Sequence, residues 1–141
     1  MSHTCKNIVI HCIDFRLMDQ LFDWLKNEQM VVDTCDEVAV AGSIKDLVRP
    51  QNPGEAEFIL KQIEISARLH KIERVIIMNH TDCGAYGGKS AFNGDEDEER
   101  GHLEDMRKAG EIIKNKWTHL EIMLVLANLN PNGKIDFRKM A

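Results

Sequence analysis

With 141 residues and a formal net charge of −5, the chain is long enough for one hydrophobic core, and its acidity argues against nucleic acid or an anionic membrane as a partner. Hydrophobic residues make up 43% and charged residues 29%, as in an ordinary globular protein, and we expect a single domain over residues 1–141. The sequence contains neither a bilayer-spanning apolar run nor a signal-peptide pattern, so we expect a cytoplasmic protein whose four cysteines are reduced thiols or metal ligands.

Short apolar runs alternate with helical stretches along the first half of the chain. The predicted elements are a buried strand at 8–12, a helix over about 17–28, a strand at 37–42, a turn over 49–54 and a helix over about 55–69. Ser43 is expected to cap a short helical turn that continues through Leu47.

The second half continues the same alternation. The predicted elements are a strand at 74–79, a loop over 84–101, a helix over about 102–116, a strand at 121–129, a tight turn at 130–133 and a returning edge strand at 134–138. The acidic run at 95–99 is interpreted as part of a solvated loop. Strands that alternate with helices indicate an α/β fold, a mostly parallel sheet of four or five strands flanked by helices.

Two polar segments follow two of the predicted strands. Cys12 ends the first strand and His80 directly follows the third. Ligands of open α/β sheets bind beyond the carboxyl ends of the strands, so these side chains meet if the two strands are neighbours. Cys83 lies three residues after His80, which lets both side chains face one point on a turn. Two thiolates and one imidazole suit a tetrahedral ion such as Zn²⁺, and Co²⁺ or Fe²⁺ also accept this donor set.

Three protein ligands leave a fourth position on such an ion. Structural zinc sites usually have four protein ligands, whereas catalytic sites keep a place for water. His11 precedes Cys12 on a strand, so its side chain should point to the opposite face, and we do not expect Cys5 or Cys35 to bind the ion. The fourth ligand is therefore predicted to be water or the carboxylate of Asp14.

Asp14 and Arg16 complete the polar segment after the first strand. An arginine two residues away can bind an aspartate through paired hydrogen bonds, which keeps the carboxylate ionised, lowers its pKa and fixes its direction. We expect Asp14 to accept a hydrogen bond from a metal-bound hydroxide and to aim it at a substrate. Two thiolates offset the charge of the ion, so the pKa of the bound water should exceed the value of about 7 of a three-histidine site, and activity should rise toward alkaline pH.

The same residues resemble the motifs of the β-class carbonic anhydrases. CIDFR at 12–16 is similar to the family's Cys-x-Asp-x-Arg motif, and HTDCGA at 80–85 is similar to its His-x-x-Cys-Gly motif. The likeness also covers the helix and strand that lead into the second motif, at 59–85, and the last strand and its turn. The sequence departs from the family at AVAGS, 39–43, which keeps Ala41 and Gly42 but lacks the polar residues usual there.

The resemblance implies a β-carbonic-anhydrase-like fold in which Cys12, His80 and Cys83 bind Zn²⁺ and Asp14 and Arg16 form the catalytic pair. It implies reversible hydration of carbon dioxide to bicarbonate by a metal-bound hydroxide, in a homodimer or a higher homo-oligomer. Two alternatives stay open: a zinc hydrolase of a related small molecule such as carbon disulfide or carbonyl sulfide, and a zinc-binding relative without catalysis. The partners expected are thus a small molecule and copies of the same chain, with neither nucleic acid nor membrane.

Several other polar residues have simpler interpretations. His102 and His119 are predicted to be surface histidines, whereas Tyr86 either lines the pocket or packs under its loop. Gly42 and Gly84 serve turn geometry or let the backbone approach the site, and the sequence does not separate these two roles.

Overall fold

A computed structural model describes residues 3–28 and 35–141 of the chain. Its strands are β1 (Asn7–His11), β2 (Cys35–Ala39), β3 (Arg74–His80), β4 (Glu121–Leu129) and β5 (Ile135–Met140). Its α-helices are α1 (Met18–Asp23), α2 (Lys45–Val48), α3 (Pro53–His70) and α4 (Asp95–Lys116). Short 3-10 turns lie at Phe15–Leu17, Gly84–Tyr86 and Lys89–Ala91, and a π-helical turn at Trp24–Glu28 extends α1.

The five strands form one sheet in the order β2-β1-β3-β4-β5. The first four strands run parallel, and β5 pairs antiparallel with β4 at the edge. The α/β fold with a mostly parallel sheet is therefore confirmed, as is the returning edge strand. The order places β1 beside β3, so the residues that follow these two strands emerge at the same edge of the sheet.

Alternate side chains of the strands point to two separate hydrophobic layers. Ile8 and Ile10 of β1 face α2, α3 and α4, while Val9 between them faces α1 and the π-helical turn. Both layers are closely packed, and the central strand β3 is buried along nearly its whole length. Such a strand on two cores is typical of the middle of a parallel sheet, and it gives the segments after β1 and β3 a rigid base.

The prediction of a loop over 84–101 is wrong in its second part. Helix α4 begins at Asp95, so the acidic run at 95–99 forms its first turns instead of a solvated loop. Carboxylates are favoured at a helix N-terminus because the free N–H groups and the helix dipole attract negative charge there. The run therefore stabilises the start of a helix that extends seven residues upstream of the predicted start at residue 102.

Smaller differences concern β2 and the segment that follows it. Strand β2 covers Cys35–Ala39, so it begins and ends earlier than the predicted strand at 37–42. Ser43 does not cap the following helix, because its backbone is left-handed with φ of 56° and its hydroxyl donates to the carbonyl of Ile10 at 3.2 Å. The predicted helix over 17–28 is divided into α1 and the π-helical turn. Among the described helices, none is both long enough and apolar enough to cross a membrane.

Candidate metal centre

The candidate site lies where β1 and β3 end. Cys12 directly follows β1, His80 is the last residue of β3, and Cys83 sits in the turn that follows. The pairing of β1 with β3 brings the first two residues to the same end of neighbouring strands, although 67 residues lie between them in the sequence. The hydrogen bond from Thr81 N–H to the carbonyl of Ala127, at 3.0 Å, extends the pairing of β3 with β4 and holds the turn in place.

The three predicted ligands form one compact buried group. The sulfur atoms of Cys12 and Cys83 and a ring nitrogen of His80 all lie within 4.8 Å of one another. The two sulfurs are 3.9 Å apart, too far for a disulfide bond. Two sulfurs bound to one tetrahedral zinc ion at their usual bond length would be about 3.8 Å apart. The spacing of the thiols therefore fits a shared cation.

The orientation of His80 also fits a metal ligand. Its Nδ1 lies 2.8 Å from the carbonyl of Thr81, so Nδ1–H is the donor and Nε2 carries the free lone pair. Nε2 is buried and makes no hydrogen bond within the described part of the chain. A buried polar atom without a partner is costly, and a metal ion at the centre of the three side chains would satisfy it.

The protonation of the Cys12–Cys83 pair also favours a bound cation. The pKa of Cys12 lies below its ordinary value, because Cys83 shares a hydrogen bond with it, and the neighbouring His80 side chain and the Gly42 N–H, which donates to the sulfur at 3.4 Å, act in the same direction. The pKa of Cys83 is raised, because it provides the shared proton and is buried beside the Cys12 sulfur. Two neighbouring thiolates repel each other, so a divalent cation is the natural partner for both.

Asp14 lies beside this group and is held by Arg16. The guanidinium donates to both carboxylate oxygens of Asp14, at 2.7 Å from Nη2 and 3.0 Å from Nε, and the Arg16 backbone N–H donates at 2.9 Å. These bonds lower the pKa of Asp14 to about 2. One oxygen of Asp14 is 3.8 Å from the free nitrogen of His80, yet Asp14 falls outside the group of mutually close ligand atoms.

Arg16 binds a second acid that sequence reasoning missed. Its Nη1 donates to the carboxylate of Asp82 at 3.0 Å, and its Nη2 donates to the Asp82 carbonyl at 3.0 Å. Asp82 has left-handed backbone with φ of 56°, and its other carboxylate oxygen accepts the Lys89 N–H at 2.9 Å. The turn between the candidate ligands His80 and Cys83 thus holds Arg16, and Arg16 in turn holds Asp14.

Comparison with known proteins gives the family. A family model described as "Putative carbonic anhydrase" matches residues 2–135. The chain belongs to this carbonic anhydrase family. It is 32% identical over 126 residues to an uncharacterized protein of Rickettsia conorii, a match that covers 87% of the chain and 67% of the relative. An uncharacterized protein of Rickettsia bellii is 32% identical over the same share of the chain and 76% of its own length.

Solved structures share the fold of this family member. Tetrameric β-carbonic anhydrases from Sordaria macrospora superpose with a TM-score of 0.62 at 13% identity, covering 99% of the chain and 84% of theirs. The β-carbonic anhydrase CcaA gives a TM-score of 0.56 at 15% identity, covering 99% and 85%. The chain is thus a divergent member with a β-carbonic-anhydrase-like fold.

A buried polar network supports the turn from the side of α4. Glu98 accepts the Asp82 N–H at 2.5 Å, and Asp105 accepts the Tyr86 hydroxyl at 2.9 Å. His102 lies between them, fully buried, with Nδ1 3.1 Å from the amide nitrogen of Asn79. The prediction that His102 is a surface histidine is therefore wrong, because this face of α4 packs on the end of β3. Tyr86 packs under the loop through the same network.

Burial lowers the pKa of His102 to about 4, and the nearby His80 and Arg49 act in the same direction. Its ring lies against those of Tyr86 and Phe92, with centroids 4.5 Å and 5.6 Å away. His102 is therefore neutral at physiological pH. His119 is exposed, in agreement with the sequence interpretation.

A cleft of about 550 Å³ opens next to the acid–arginine pair. Arg16, Asp82 and Lys89 line one side, and residues 129–135 around the β4–β5 turn line the other. A larger cavity of about 690 Å³ lies between α4 and the β4–β5 edge and contains none of the candidate site residues. Of the two, the smaller cleft is the candidate route to the site, since Arg16 and Asp82 form part of its wall.

Proposed function

We propose that the chain is a zinc enzyme that catalyses the reversible hydration of carbon dioxide to bicarbonate, with Cys12, His80 and Cys83 as the metal ligands. The observation that carries the proposal is the buried group of two thiols and one imidazole, whose Nε2 accepts no hydrogen bond from the residues that the structure describes. The family and the fold of its solved neighbours support the same reaction. When bound there, zinc would act as a Lewis acid that lowers the pKa of water and makes a nucleophile available at mildly alkaline pH.

Residues of the chain itself would hold the metal ligands in position. The Gly42 N–H donates to the Cys12 sulfur, and the Thr81 carbonyl selects the tautomer of His80 that presents Nε2. Such hydrogen bonds from neighbouring groups orient metal ligands and tune their basicity. The burial of all three ligand side chains would limit water to the side where Asp14 lies.

Asp14 would act as the hydrogen-bond acceptor for the nucleophile. Its carboxylate stays ionised because Arg16 binds it, and an ionised carboxylate can only accept. A nucleophile whose single proton points at Asp14 presents its lone pair to carbon dioxide. Arg16 would also offer positive charge near the bicarbonate that forms, and the cleft beside it would admit substrate.

We also propose that the protein is a cytoplasmic homo-oligomer. Four large apolar side chains next to the site are exposed: Ile13 at 61%, Phe15 at 81%, Met18 at 73% and Phe22 at 54%. Several exposed large apolar side chains within one short segment favour an interaction surface, and the tetrameric state of the Sordaria macrospora enzymes supports a second copy as the partner. Sedimentation analysis of Phe15→Glu should show a smaller species than the wild type. An unchanged size distribution would argue against this interface.

Zinc content and stopped-flow carbon dioxide hydration test the proposal together. The wild-type protein should accelerate hydration above the buffer rate, and Cys12→Ser should lose one zinc ion per chain and the activity. Cys35→Ser is the matched control, because Cys35 is also a free thiol but lies outside the group of ligands, and it should keep both.

Loss of activity in Cys35→Ser together with Cys12→Ser would point to a general effect of thiol removal and contradict the assignment. A wild-type protein that binds zinc in this group but hydrates carbon dioxide no faster than buffer would refute the reaction. Turnover of carbon disulfide or carbonyl sulfide by that protein would then assign it to the related hydrolases.

A further inference from the structure

A second group of potential metal ligands lies near the amino-terminal ends of β1 and β2, at the opposite end of the strands from Cys12. The sulfur of Cys5, a carboxylate oxygen of Asp36 and a ring nitrogen of His70 all lie within 4.8 Å of one another. Cys5 precedes β1, whereas Cys12 follows it, so roughly 20 Å of extended chain separates the two groups. The two groups therefore share no ligand.

Three separate segments bring these side chains together. Cys5 is tied to the end of α3 by the hydrogen bond from its N–H to the His70 carbonyl, at 2.9 Å. Asp36 pairs with Ile8 in the register of β1 and β2, which turns its side chain to the α3 side of the sheet. The Ser66 hydroxyl then donates to the carboxylate of Asp36 at 2.6 Å and fixes its direction. The group is thus held by backbone and side-chain contacts before any ion binds.

An ion pair accounts for only part of this arrangement. His70 Nδ1 lies 2.6 Å from the Asp36 oxygen, a distance that a charged hydrogen bond explains. The Cys5 thiol donates to the Asn7 carbonyl at 3.5 Å and also faces the carboxylate of Asp36, and burial together with that negative charge raises the pKa of Cys5, so the sulfur needs a cation to become a thiolate there. A soft donor placed beside a carboxylate and an imidazole is instead typical of a site for a transition metal.

We propose that Cys5, Asp36 and His70 bind a second divalent cation, zinc or an ion of similar softness. Thiolate and imidazole select such ions against Mg²⁺ and Ca²⁺, which take oxygen ligands. The side chains of His70 and Asp36 are 35% and 31% exposed, so an ion can enter from solvent and keep water as a further ligand. The His3 ring, with its centroid 6.1 Å from that of His70, adds a second imidazole at the rim.

Binding requires the three donor atoms, now within 4.8 Å of one another, to adjust to the spacing of ligands on one ion. The Asp36 oxygen and His70 Nδ1 would move from 2.6 Å to about 3.3 Å apart, the separation of two ligands on one tetrahedral ion. The cation replaces the proton between them and joins the segment before β1, the start of β2 and the end of α3. Its role would be structural, because it connects three elements at the end of the strands remote from Cys12.

Zinc stoichiometry tests the second site without reference to catalysis. The full-length Cys12→Ser variant, loaded with zinc and desalted, should retain one zinc ion per chain by elemental analysis. Adding Cys5→Ser or His70→Gln should remove that ion, and zinc should no longer raise the melting temperature. Adding Cys35→Ser instead should leave the ion in place, since Cys35 points to the other face of β2.

A second measurement covers the case in which Cys12→Ser fails to fold. The otherwise wild-type chain should bind two zinc ions, and Cys5→Ser alone should bind one and keep its carbon dioxide hydration. Zinc binding that Cys5→Ser and His70→Gln leave unchanged would overturn the second site. That result would leave the proposed function untouched, because the function depends on the other ion.

Discussion

Arg16 and Asp82 are joined by two hydrogen bonds of 3.0 Å, one to the carboxylate and one to the backbone carbonyl. Because Arg16 also binds Asp14, the two acids lie on either side of one guanidinium. The hydrogen bonds between Arg16 and Asp82 connect the segment after β1 to the turn between His80 and Cys83. The position of Asp14 therefore depends, through the arginine, on the turn that carries two of the candidate ligands.

Replacement of Asp82 tests this dependence. Asp82→Asn should keep the zinc content but weaken the hold on Arg16, so that Asp14 is less well oriented. We expect kcat/KM for carbon dioxide hydration to fall about tenfold, roughly 1.4 kcal/mol of transition-state stabilisation. Asp95→Asn is the control, because Asp95 pairs with Lys89 at the surface and makes no contact with Arg16. Equal losses in the two variants would contradict the positioning role.

The low pKa of Asp14 makes a prediction about pH. The pKa of the carboxylate is about 2, so Asp14 is ionised throughout the pH range of a hydration assay. Activity should rise toward alkaline pH, and Asp14→Asn should lower it by the same factor, on the order of 100-fold, at every point between about pH 6 and pH 9. Parallel pH–rate profiles of the two proteins, at equal zinc content, are the expected result. A ratio that changes across this range while both profiles keep the same midpoint would show that Asp14 itself titrates there.

Gly42 offers a test of the backbone beside Cys12. Its φ of 76° is unfavourable for other residues, and a Cβ there would lie 3.0 Å from the Cβ of Ala85. Gly42→Ala should therefore cost about 1–2 kcal/mol in unfolding free energy from backbone strain alone, and should also reduce zinc affinity by moving the N–H that donates to Cys12.

Gly133→Ala is the matched control for that variant. Its φ of 87° carries a similar strain, but nothing lies within 4 Å of a Cβ built there, and it sits in the β4–β5 turn. It should lose comparable stability in urea unfolding yet bind zinc as tightly as the wild type. Equal zinc affinity in both variants would show that the Gly42 contact does not matter to the metal.

His102 should make the protein sensitive to mild acid. Its pKa is about 4 in the folded chain and about 6.5 when unfolded, so between these values the unfolded state binds more protons. Stability therefore rises with pH in this window, and a fall from about pH 6.5 to pH 4 removes about 3 kcal/mol on this account. His102→Gln should show a smaller loss in urea unfolding at the two pH values, whereas the exposed His119→Gln should behave like the wild type. Identical pH slopes for all three proteins would remove His102 as the cause.

Much of the candidate site could be predicted because parallel strands impose its geometry. Once β1 and β3 are neighbours, the residues that follow them must emerge at the same edge, and Cys12 and His80 meet whatever the loops do. The short-range pairing of Asp14 with Arg16 was equally predictable, since only one residue lies between them. Local spacing and sheet topology were sufficient for both.

The contacts that sequence reasoning missed depend on conformation that no local pattern indicates. Asp82 reaches Arg16 only because its backbone adopts a positive φ, which is uncommon for residues other than glycine. Glu98 sits in an acidic run that resembles a solvated segment, yet it is 1% exposed. A charged side chain buried by a long-range contact reverses the ordinary rule, and only the packing of α4 on the turn reveals it.

The hydrogen bond from the Asp82 amide to Glu98 has a consequence for the motion of the turn. Amides in turns normally exchange their protons with solvent quickly, but this one donates to a carboxyl group that solvent cannot reach. Deuterium uptake at Asp82 would then be as slow as in the central strands. The segment between His80 and Cys83 is in that sense preorganised, and the binding of an ion would cost little conformational entropy for ordering it.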